Sequence, residues 1–307
     1  KSQNKSRDKI LKALLKLDGL YIPKFYKAET SYAKPVPVIP EAPEFVRKRV
    51  SDFKKENYPV DFPVPYSPSV HDRAVVEIRR GCGRMCRFCQ PCFVNMPVRE
   101  RHAEEIIELT DQLLKNTGYE EYSLLSLSSN DYNNIEGLVC ELNKKHAPKG
   151  ASISLPSQRA DSFSLDLANL VQTVRKSTLT FAPEAGSQRM RNVINKNLNQ
   201  EQILNAILST YKAGWTHAKL YFMIGLPTET FEDLDEIIKL LSTIKNESRK
   251  LKAELDLKKH LDLTCTVSIF VPKPFTPFQW CGQDNIEVIN EKIRYLREKV
   301  KYLKGVK

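Results

Sequence analysis

Short apolar runs that alternate with amphipathic helical patterns limit the fold of this chain more than any other feature of its sequence. The six runs are residues 74–78, 122–127, 151–155, 178–181, 218–224 and 263–271. Asn199 with Gln202 three positions later marks one helix start. Thr230 with Asp233 marks another. Repeats of a strand and a helix imply parallel strands joined by right-handed crossovers, so the sequence predicts an α/β fold.

Segments of different composition flank this repeating region. Residues 1–27 begin with a basic amphipathic helix, and residues 35–68 hold eight of the eighteen prolines, which favour extended structure over a helix. Apolar residues from Ile286 to Leu303 recur at helical spacing. We therefore expect three regions: a basic helix with a proline-rich linker or strap (1–70), the α/β domain (71–280) and a C-terminal helix (281–307).

Three cysteines follow the first apolar run with the spacing C-x3-C-x2-C. They are Cys82, Cys86 and Cys89, and they can reach one point from a single loop at the end of a strand. Three thiolates suit a 4Fe–4S cube and leave its fourth iron without a protein ligand. Because a small molecule can chelate an open iron, the motif predicts an iron–sulfur cluster that binds a ligand.

Cys92 leaves other kinds of site open. With Cys86 and Cys89 it forms C-x2-C-x2-C, which matches the start of a ferredoxin-type run. A structural zinc site needs four ligands, commonly two separated C-x2-C pairs, and the next cysteine is Cys140. The alternative is therefore a non-catalytic iron–sulfur or zinc module for electron transfer or nucleic-acid binding. In the catalytic interpretation, Cys92 is a small packed thiol beside the cluster.

The cysteine spacing, with Phe88 directly before the last cysteine, resembles the signature of the radical S-adenosylmethionine (radical SAM) superfamily. The resemblance covers about residues 70–275 and implies an open six-stranded (β/α)6 partial TIM barrel. It implies that Cys82, Cys86 and Cys89 hold the cluster and that S-adenosylmethionine (SAM) chelates the open iron. One electron, from a donor such as flavodoxin or ferredoxin, then cleaves SAM to a 5′-deoxyadenosyl radical that attacks a substrate.

Polar residues at the ends of the predicted strands are the candidates for binding SAM, because barrels of this type carry their chemistry there. Where many superfamily members have Gly-Gly-Glu after strand 2, this chain has serines and an asparagine. The resemblance implies that a strand-4 glutamate and a following arginine contact SAM. It also implies that a strand-5 segment similar to G-x-I-x-G-x-x-E lies against the adenine, although the first glycine is missing here. The candidates are Phe88, Ser128, Ser129, Asn130, Ser157, Glu184, Arg189, Ile224, Gly225 and Leu226.

A narrower resemblance rests on residues 98–101, 179–186 and 219–230. These segments are similar to those of bacterial radical SAM proteins that carry an N-terminal cobalamin-binding-like domain and have no assigned substrate. Pro91-Cys92 departs from that group, which has small residues there. Since the first residue is Lys1 and not methionine, we expect the chain to be part of a longer protein. The resemblance then implies that a cobalamin domain lies upstream, and we find no cobalamin ligand in the chain itself.

The charge and cysteine content bear on partners and compartment. The chain has 48 basic and 37 acidic side chains, a net charge of +11, which attracts polyanions. Basic stretches at residues 47–49 and 245–259 favour an RNA or ribonucleoprotein substrate, and the alternative is that these stretches are solvated surface. Seven cysteines, three of them in a cluster motif, predict a reducing compartment, the cytoplasm. No apolar run approaches the length of a membrane span.

Overall fold

The computed structural model describes residues 6–30, 34–67, 72–156, 159–162, 164–171 and 179–307. It divides into two compact units, Lys1–Phe53 and Lys54–Lys307. The boundary lies within the segment that the sequence predicts as an N-terminal strap. Among the described residues, no helix is both long enough and apolar enough to cross a membrane.

The first unit is small and has its own core. Helix α1 (Arg7–Leu14) begins after Ser6, whose hydroxyl accepts a hydrogen bond from the Lys9 N–H. A 3₁₀ turn at Pro23–Phe25 leads into an antiparallel pair of two-residue strands, Tyr26–Lys27 and Val36–Pro37. The core of this unit consists of Ile22, Phe25 and Ala42.

In the described part of the second unit, six strands form two parallel sheets. The strands are β1 (Ala74–Glu77), β2 (Glu121–Leu125), β3 (Ser152–Ser154), β4 (Leu179–Glu184), β5 (His217–Ile224) and β6 (Asp262–Ile269). The pairing order is β1–β2–β3 in one sheet and β4–β5–β6 in the other, and every pair is parallel. Each strand overlaps one predicted apolar run. The prediction of an α/β fold with parallel strands is therefore confirmed.

Helices alternate with the strands, as the periodicity predicts. They are α2 (Gln90–Val94), α3 (Ala103–Thr117), α4 (Ile135–His146), α5 (Leu165–Val171), α6 (Gln188–Val193), α7 (Gln200–Lys212), α8 (Phe231–Glu254) and α9 (Ile286–Val300). Both predicted helix starts are confirmed. Asn199 and Gln202 form a capping box at α7. Thr230 and Asp233 form another at α8.

The two faces of the second sheet differ in polarity. The even-numbered residues of β5, from Ala218 to Ile224, are buried in a core shared with α7 and α8. The odd-numbered residues, from His217 to Met223, are half-buried and mostly polar. Lys219 of β5 pairs in register with a threonine on each neighbouring strand. The face away from the helices is therefore polar, which suits a binding surface.

The segments that precede β1 and follow α9 in the sequence pack against the edges of the sheets. In the segment that precedes β1, the Tyr58 hydroxyl donates to Val75 O at 2.7 Å and accepts from Glu77 N at 3.2 Å. After α9, Leu263 of β6 exchanges backbone hydrogen bonds with Gly305 and Lys307 at 2.9 Å. These contacts hold the segment around Tyr58 along β1 and add the C-terminal residues to the edge of β6.

Candidate functional site

The cysteine loop begins at the carboxyl end of β1. Two-residue strands, Arg79–Arg80 and Arg99–Glu100, pair antiparallel and bring the ends of the loop together. Gly81 between them has φ of +86°, and a Cβ at this position would lie 2.7 Å from Asn95 O. Only glycine fits that turn without displacing the backbone. The short strand pair and the turn at Gly81 therefore fix the backbone direction at the start of the cysteine motif.

The three predicted ligands converge on the Cys92 thiol. Cys82 and Cys86 are buried and Cys89 is half-buried. Hydrogen bonding with the Cys92 thiol lowers the pKa of Cys82 to about 6 and that of Cys89 to about 7, and it also lowers the pKa of Cys86. The same contacts raise the pKa of Cys92. Since the thiolate is the form that binds metal, the donor set at Cys82, Cys86 and Cys89 fits an iron–sulfur cluster.

A cluster and a single ion require different arrangements of ligands. Among the described residues, no group of three or more Cys, His, Asp or Glu side chains is arranged to hold a single metal ion. In a 4Fe–4S cube, each thiolate binds a separate iron.

Two cations and a carboxylate lie beside the cysteines. Lys196 and Arg159 help to lower the pKa of Cys86 through their positive charge, after the larger effect of Cys92. The Lys196 Nζ atom lies 3.5 Å from Glu184 Oε1 at the end of β4. Burial raises the pKa of Glu184, and its φ is +67° in a strand whose register shifts before it. The structure thus brings the predicted Glu184 to the cysteine loop, together with two cations that the sequence analysis did not select.

An ion-pair network joins the cysteine loop to the loops after β2 and β3. Arg84 Nε donates to Asp131 at 3.0 Å, and Arg84 Nη1 donates to Asp161 at 3.4 Å. Arg159 also donates to Asp161, through two nitrogens at 2.9 Å each. Burial opposes ionisation of Asp131, but hydrogen bonds led by that from Arg84 hold its pKa below the usual value. The network fixes Arg159 in the position where it faces the cysteines.

Most of the SAM-binding residues predicted after β2 and β3 are buried or form hydrogen bonds with other residues of the protein. The Ser129 hydroxyl lies 3.0 Å from that of Ser126, and Ser128 is 1% exposed. The Asn130 side chain donates to Ser162 O at 3.0 Å and accepts from Arg159 N at 3.1 Å. Asn130 therefore holds the loop that carries Arg159. Ser157, another predicted residue, lies outside the described residues.

Arg189 contacts the start of α8. Its guanidinium forms an ion pair with Asp233 and donates to Thr228 O at 2.8 Å, and its side chain is 50% exposed. Hydrogen bonding to Asp233 raises the pKa of Arg189. The guanidinium therefore already has partners at the start of α8, and its role in binding SAM stays a prediction.

The segment after β5 combines apolar packing with a buried ion pair. Leu226 is buried in a small apolar cluster, and Phe88, the residue before Cys89, is partly buried against the same cluster. Ile224 is fully buried in the core of the second sheet. Gly225, with φ of +74°, donates its N–H to Glu229 Oε2 at 2.7 Å. Glu229 in turn pairs with Lys292 of α9 at 2.9 Å.

A cavity of about 560 Å³ lies away from the cysteines, between β6 and α9. Its lining includes Val267, Ile269 and Leu296. Among the predicted site residues that the structure describes, only Ile224 lines this cavity. The cavity is thus separate from the cysteine loop.

Comparison with known protein families agrees with this geometry. Residues 76–241, more than half of the chain, match the model of the radical SAM superfamily. This chain belongs to the radical SAM superfamily. Membership of this superfamily implies a 4Fe–4S cluster and SAM as cofactors.

Two relatives show how much of a longer protein this radical SAM chain resembles. The uncharacterized protein MJ0966 of Methanocaldococcus jannaschii is 34% identical over 80% of this chain and 51% of its own length. The tRNA-2-methylthio-N(6)-dimethylallyladenosine synthase of Petrotoga mobilis is 24% identical over 65% of this chain and 47% of its own length. The chain therefore spans about half the length of these relatives.

Solved structures of radical SAM enzymes share the fold. Coproporphyrinogen III oxidase (HemN) from Escherichia coli aligns with a TM-score of 0.52 and 16% identity, over 75% of this chain and 52% of that one. The cobalamin-dependent radical SAM enzyme OxsB, with aqua-cobalamin and SAM bound, aligns with a TM-score of 0.51 and 14% identity. That alignment covers 72% of this chain and 36% of OxsB. At this level of identity, the likeness concerns the fold alone.

Proposed function

We propose that this chain is the catalytic part of a radical SAM enzyme in which Cys82, Cys86 and Cys89 hold a 4Fe–4S cluster. The observation that carries the proposal is the convergence of these thiols, with lowered pKa values, on a loop inside the matched region. When bound, the cluster supplies the electron that cleaves SAM to a substrate-attacking radical. The protein holds the thiolates, orients SAM and keeps water from the reacting atoms.

We propose that the two parallel sheets form one open six-stranded partial barrel around this site. Their orders, β1–β2–β3 and β4–β5–β6, follow the chain, as in a barrel with sequential strands. Lys196 and Glu184, at the carboxyl end of the second sheet, lie beside Cys86 of the loop after β1. The carboxyl ends of both sheets therefore meet at the cysteines.

At the carboxyl ends of the two sheets, we assign the residues that contact SAM by their charge and polarity. Lys196 and Arg159 are the cations beside Cys86, so we propose that they bind the SAM carboxylate. Glu184, at the end of β4, is placed to accept from the amino group or the ribose. The half-buried Phe88, which packs against the apolar cluster that contains Leu226, offers a surface for the adenine, and we propose that the backbone at Gly225 lies beside the ring. The SAM-binding roles of Ser128, Ser129, Asn130, Ser157, Arg189 and Ile224 stay predictions.

We propose RNA as the substrate class. The relative from Petrotoga mobilis is, by its name, a tRNA-modifying enzyme, and the net charge of +11 favours a polyanion. The polar face of β5 adds Lys219, whose Nζ lies 5.0 Å from the Tyr221 ring. A cation and an aromatic ring on one face suit a phosphate and a base.

The proposal also covers the electron donor, cobalamin and the cellular compartment. An electron donor such as flavodoxin or ferredoxin supplies the reducing electron. Cobalamin enters only through a domain outside this chain, and the fold-level likeness to the cobalamin-dependent OxsB is consistent with that arrangement. We place the protein in the cytoplasm because its seven cysteines are free and its cluster thiols must stay reduced.

Metal analysis of the anaerobically reconstituted protein tests the cluster assignment. We expect about four irons per chain, as one cubane requires. Cys86→Ala should lose the cluster because it removes a ligand. Cys140→Ala, which changes a half-buried cysteine on α4, should retain it. One zinc per chain would favour the non-catalytic module instead, and full iron content in Cys86→Ala would contradict the assignment of Cys86 as a ligand.

A further inference from the structure

Two aromatic side chains are exposed on the loop that follows the carboxyl end of β6 and leads to α9. Phe275 and Trp280 are 70% and 72% exposed. A third aromatic residue of this loop, Phe278, is buried and meets Phe270 edge to face, with ring centroids 5.9 Å apart. The loop therefore has one aromatic anchor in the core and leaves two large rings in contact with solvent.

Hydrogen bonds and an unusual backbone conformation hold the loop in one shape. The Phe275 N–H donates to Gln279 Oε1 at 3.1 Å, and the Thr276 hydroxyl donates to Lys273 O at 2.7 Å. Phe275 has φ of +64°, which is rare for a bulky residue. Since such a backbone persists only where its surroundings impose it, the exposure of Phe275 is built into the loop.

The loop contacts the helix that follows the cysteines. Gln90, the first residue of α2, directly follows Cys89 and donates from its side-chain amide to Pro274 O at 3.1 Å. Pro274 is the residue before Phe275. The contact thus places the backbone next to Phe275 against the end of the cysteine motif.

We propose that Phe275 and Trp280 stack on unpaired bases of an RNA substrate and hold a single-stranded stretch at the cysteine loop. The inference rests on the proposed RNA substrate. A base that is modified must leave its helical stack, and an aromatic side chain replaces the stacking that it loses. Residues 270–283 contain no acidic side chain, and their one charged residue, the exposed Lys273, suits the phosphate backbone.

Binding of unfractionated tRNA and of heparin by the reconstituted chain tests the stacking, because heparin is a polyanion without bases. Phe275→Leu and Trp280→Ala should each weaken tRNA binding by about fivefold or more and leave heparin binding unchanged. Tyr302→Ala removes a ring that is 86% exposed after α9, and this matched control should change neither. Fluorescence anisotropy of the labelled polyanions gives the dissociation constants.

The emission of Trp280 is an independent readout. The chain has two tryptophans, and the other, Trp215, is half-buried before β5. Because a stacked base quenches the fluorescence of an indole, tRNA should quench the wild type. It should quench Trp280→Phe far less, although that variant retains most of the affinity. Heparin should quench neither protein.

The outcomes separate this inference from the RNA substrate on which it depends. If the wild type binds tRNA and neither Phe275→Leu nor Trp280→Ala weakens binding, the stacking is overturned and the RNA substrate is not. Equal losses of tRNA and heparin binding would also overturn the stacking, as would unchanged tRNA binding with weaker binding of flavodoxin. No binding of tRNA by the wild type at low salt would contradict the RNA substrate itself.

Discussion

At the scale of single residues, the site is defined by which cation faces the cysteines. Lys196 and Arg189 lie seven positions apart in the same loop–helix segment after β4. Lys196 is 11% exposed, pairs with Glu184 and faces Cys86. Arg189 is half exposed and pairs with Asp233 at the start of α8. Lys196 is therefore the better placed of the two to bind the SAM carboxylate.

Replacing Lys196 tests this assignment. Lys196→Met should weaken SAM binding by about tenfold or more, since a hydrogen bond to a charged group contributes about 1.5–3 kcal/mol. Lys196→Arg should retain most of the affinity. Equilibrium titration of the reconstituted protein with SAM gives the dissociation constants. Arg189→Gln is the comparison variant, and a larger loss in that variant than in Lys196→Met would show that the assignment is reversed.

Spacing in the sequence selects the three cysteines that the structure brings together, but it does not distinguish the two cations after β4. Cys82, Cys86 and Cys89 follow from their spacing, because one loop can bring them to one point. The distinction between Arg189 on α6 and Lys196 in the chain that follows α6 depends on where these segments point, and two basic residues seven positions apart look alike in the sequence. The charge on Asp233 decides the direction of Arg189, and only the fold brings the two together.

At the scale of elements, a buried ion pair fastens the loop after β5 to α9. Lys292 contacts Glu229 at 2.9 Å and Asp284 at 2.7 Å, and its side chain is 6% exposed. Burial raises the pKa of Glu229. Glu229 also accepts the Gly225 N–H, so α9 helps to set the backbone that we place against the adenine.

Breaking this pair should destabilise the protein. Lys292→Met leaves Glu229 and Asp284 without their buried cation, and we expect a loss of about 3–5 kcal/mol in the free energy of unfolding. Urea unfolding monitored by circular dichroism measures it. Lys299→Met is a matched control on α9, because Lys299 forms a partly exposed pair with Asp235 and should matter far less. Equal effects in the two variants would contradict the structural role of the buried pair.

The elements themselves could be predicted, but their connections could not. Apolar runs gave the strands, and the capping residues Asn199 and Thr230 gave two helix starts, because these patterns are local. The pairing of Lys292 with Glu229 joins residues 63 positions apart. The shift of register before Glu184 depends on the neighbouring strand, β5. Neither feature has a local sequence pattern.

At the scale of the whole catalytic unit, most of the 245–259 basic stretch lies far from the cysteines. It spans the end of α8 and the connection to β6, and so lies at the amino ends of the strands. The cysteines lie at the carboxyl ends, and eight residues of β6 span about 26 Å. Lys245 belongs neither to an RNA-binding surface nor to the alternative solvated surface, because it is buried with its Nζ donating to Leu261 O.

This separation gives a prediction about RNA. Changing Lys250, Lys252, Lys258 and Lys259 to Gln should weaken binding of unfractionated tRNA and flatten its dependence on salt, because fewer counterions are released. SAM cleavage should be unaffected, since these residues are remote from the site. Fluorescence anisotropy at several salt concentrations measures the slope. A flat slope in the wild type would remove the main support for an RNA substrate.

The central claim is that Cys82, Cys86 and Cys89 support SAM cleavage. The measurement is the 5′-deoxyadenosine formed when the reconstituted protein is mixed anaerobically with SAM and a strong reductant. We predict slow formation by the wild type and by Cys140→Ala, and none by Cys86→Ala. A wild-type protein that contains four irons and binds SAM but forms no 5′-deoxyadenosine would contradict the account.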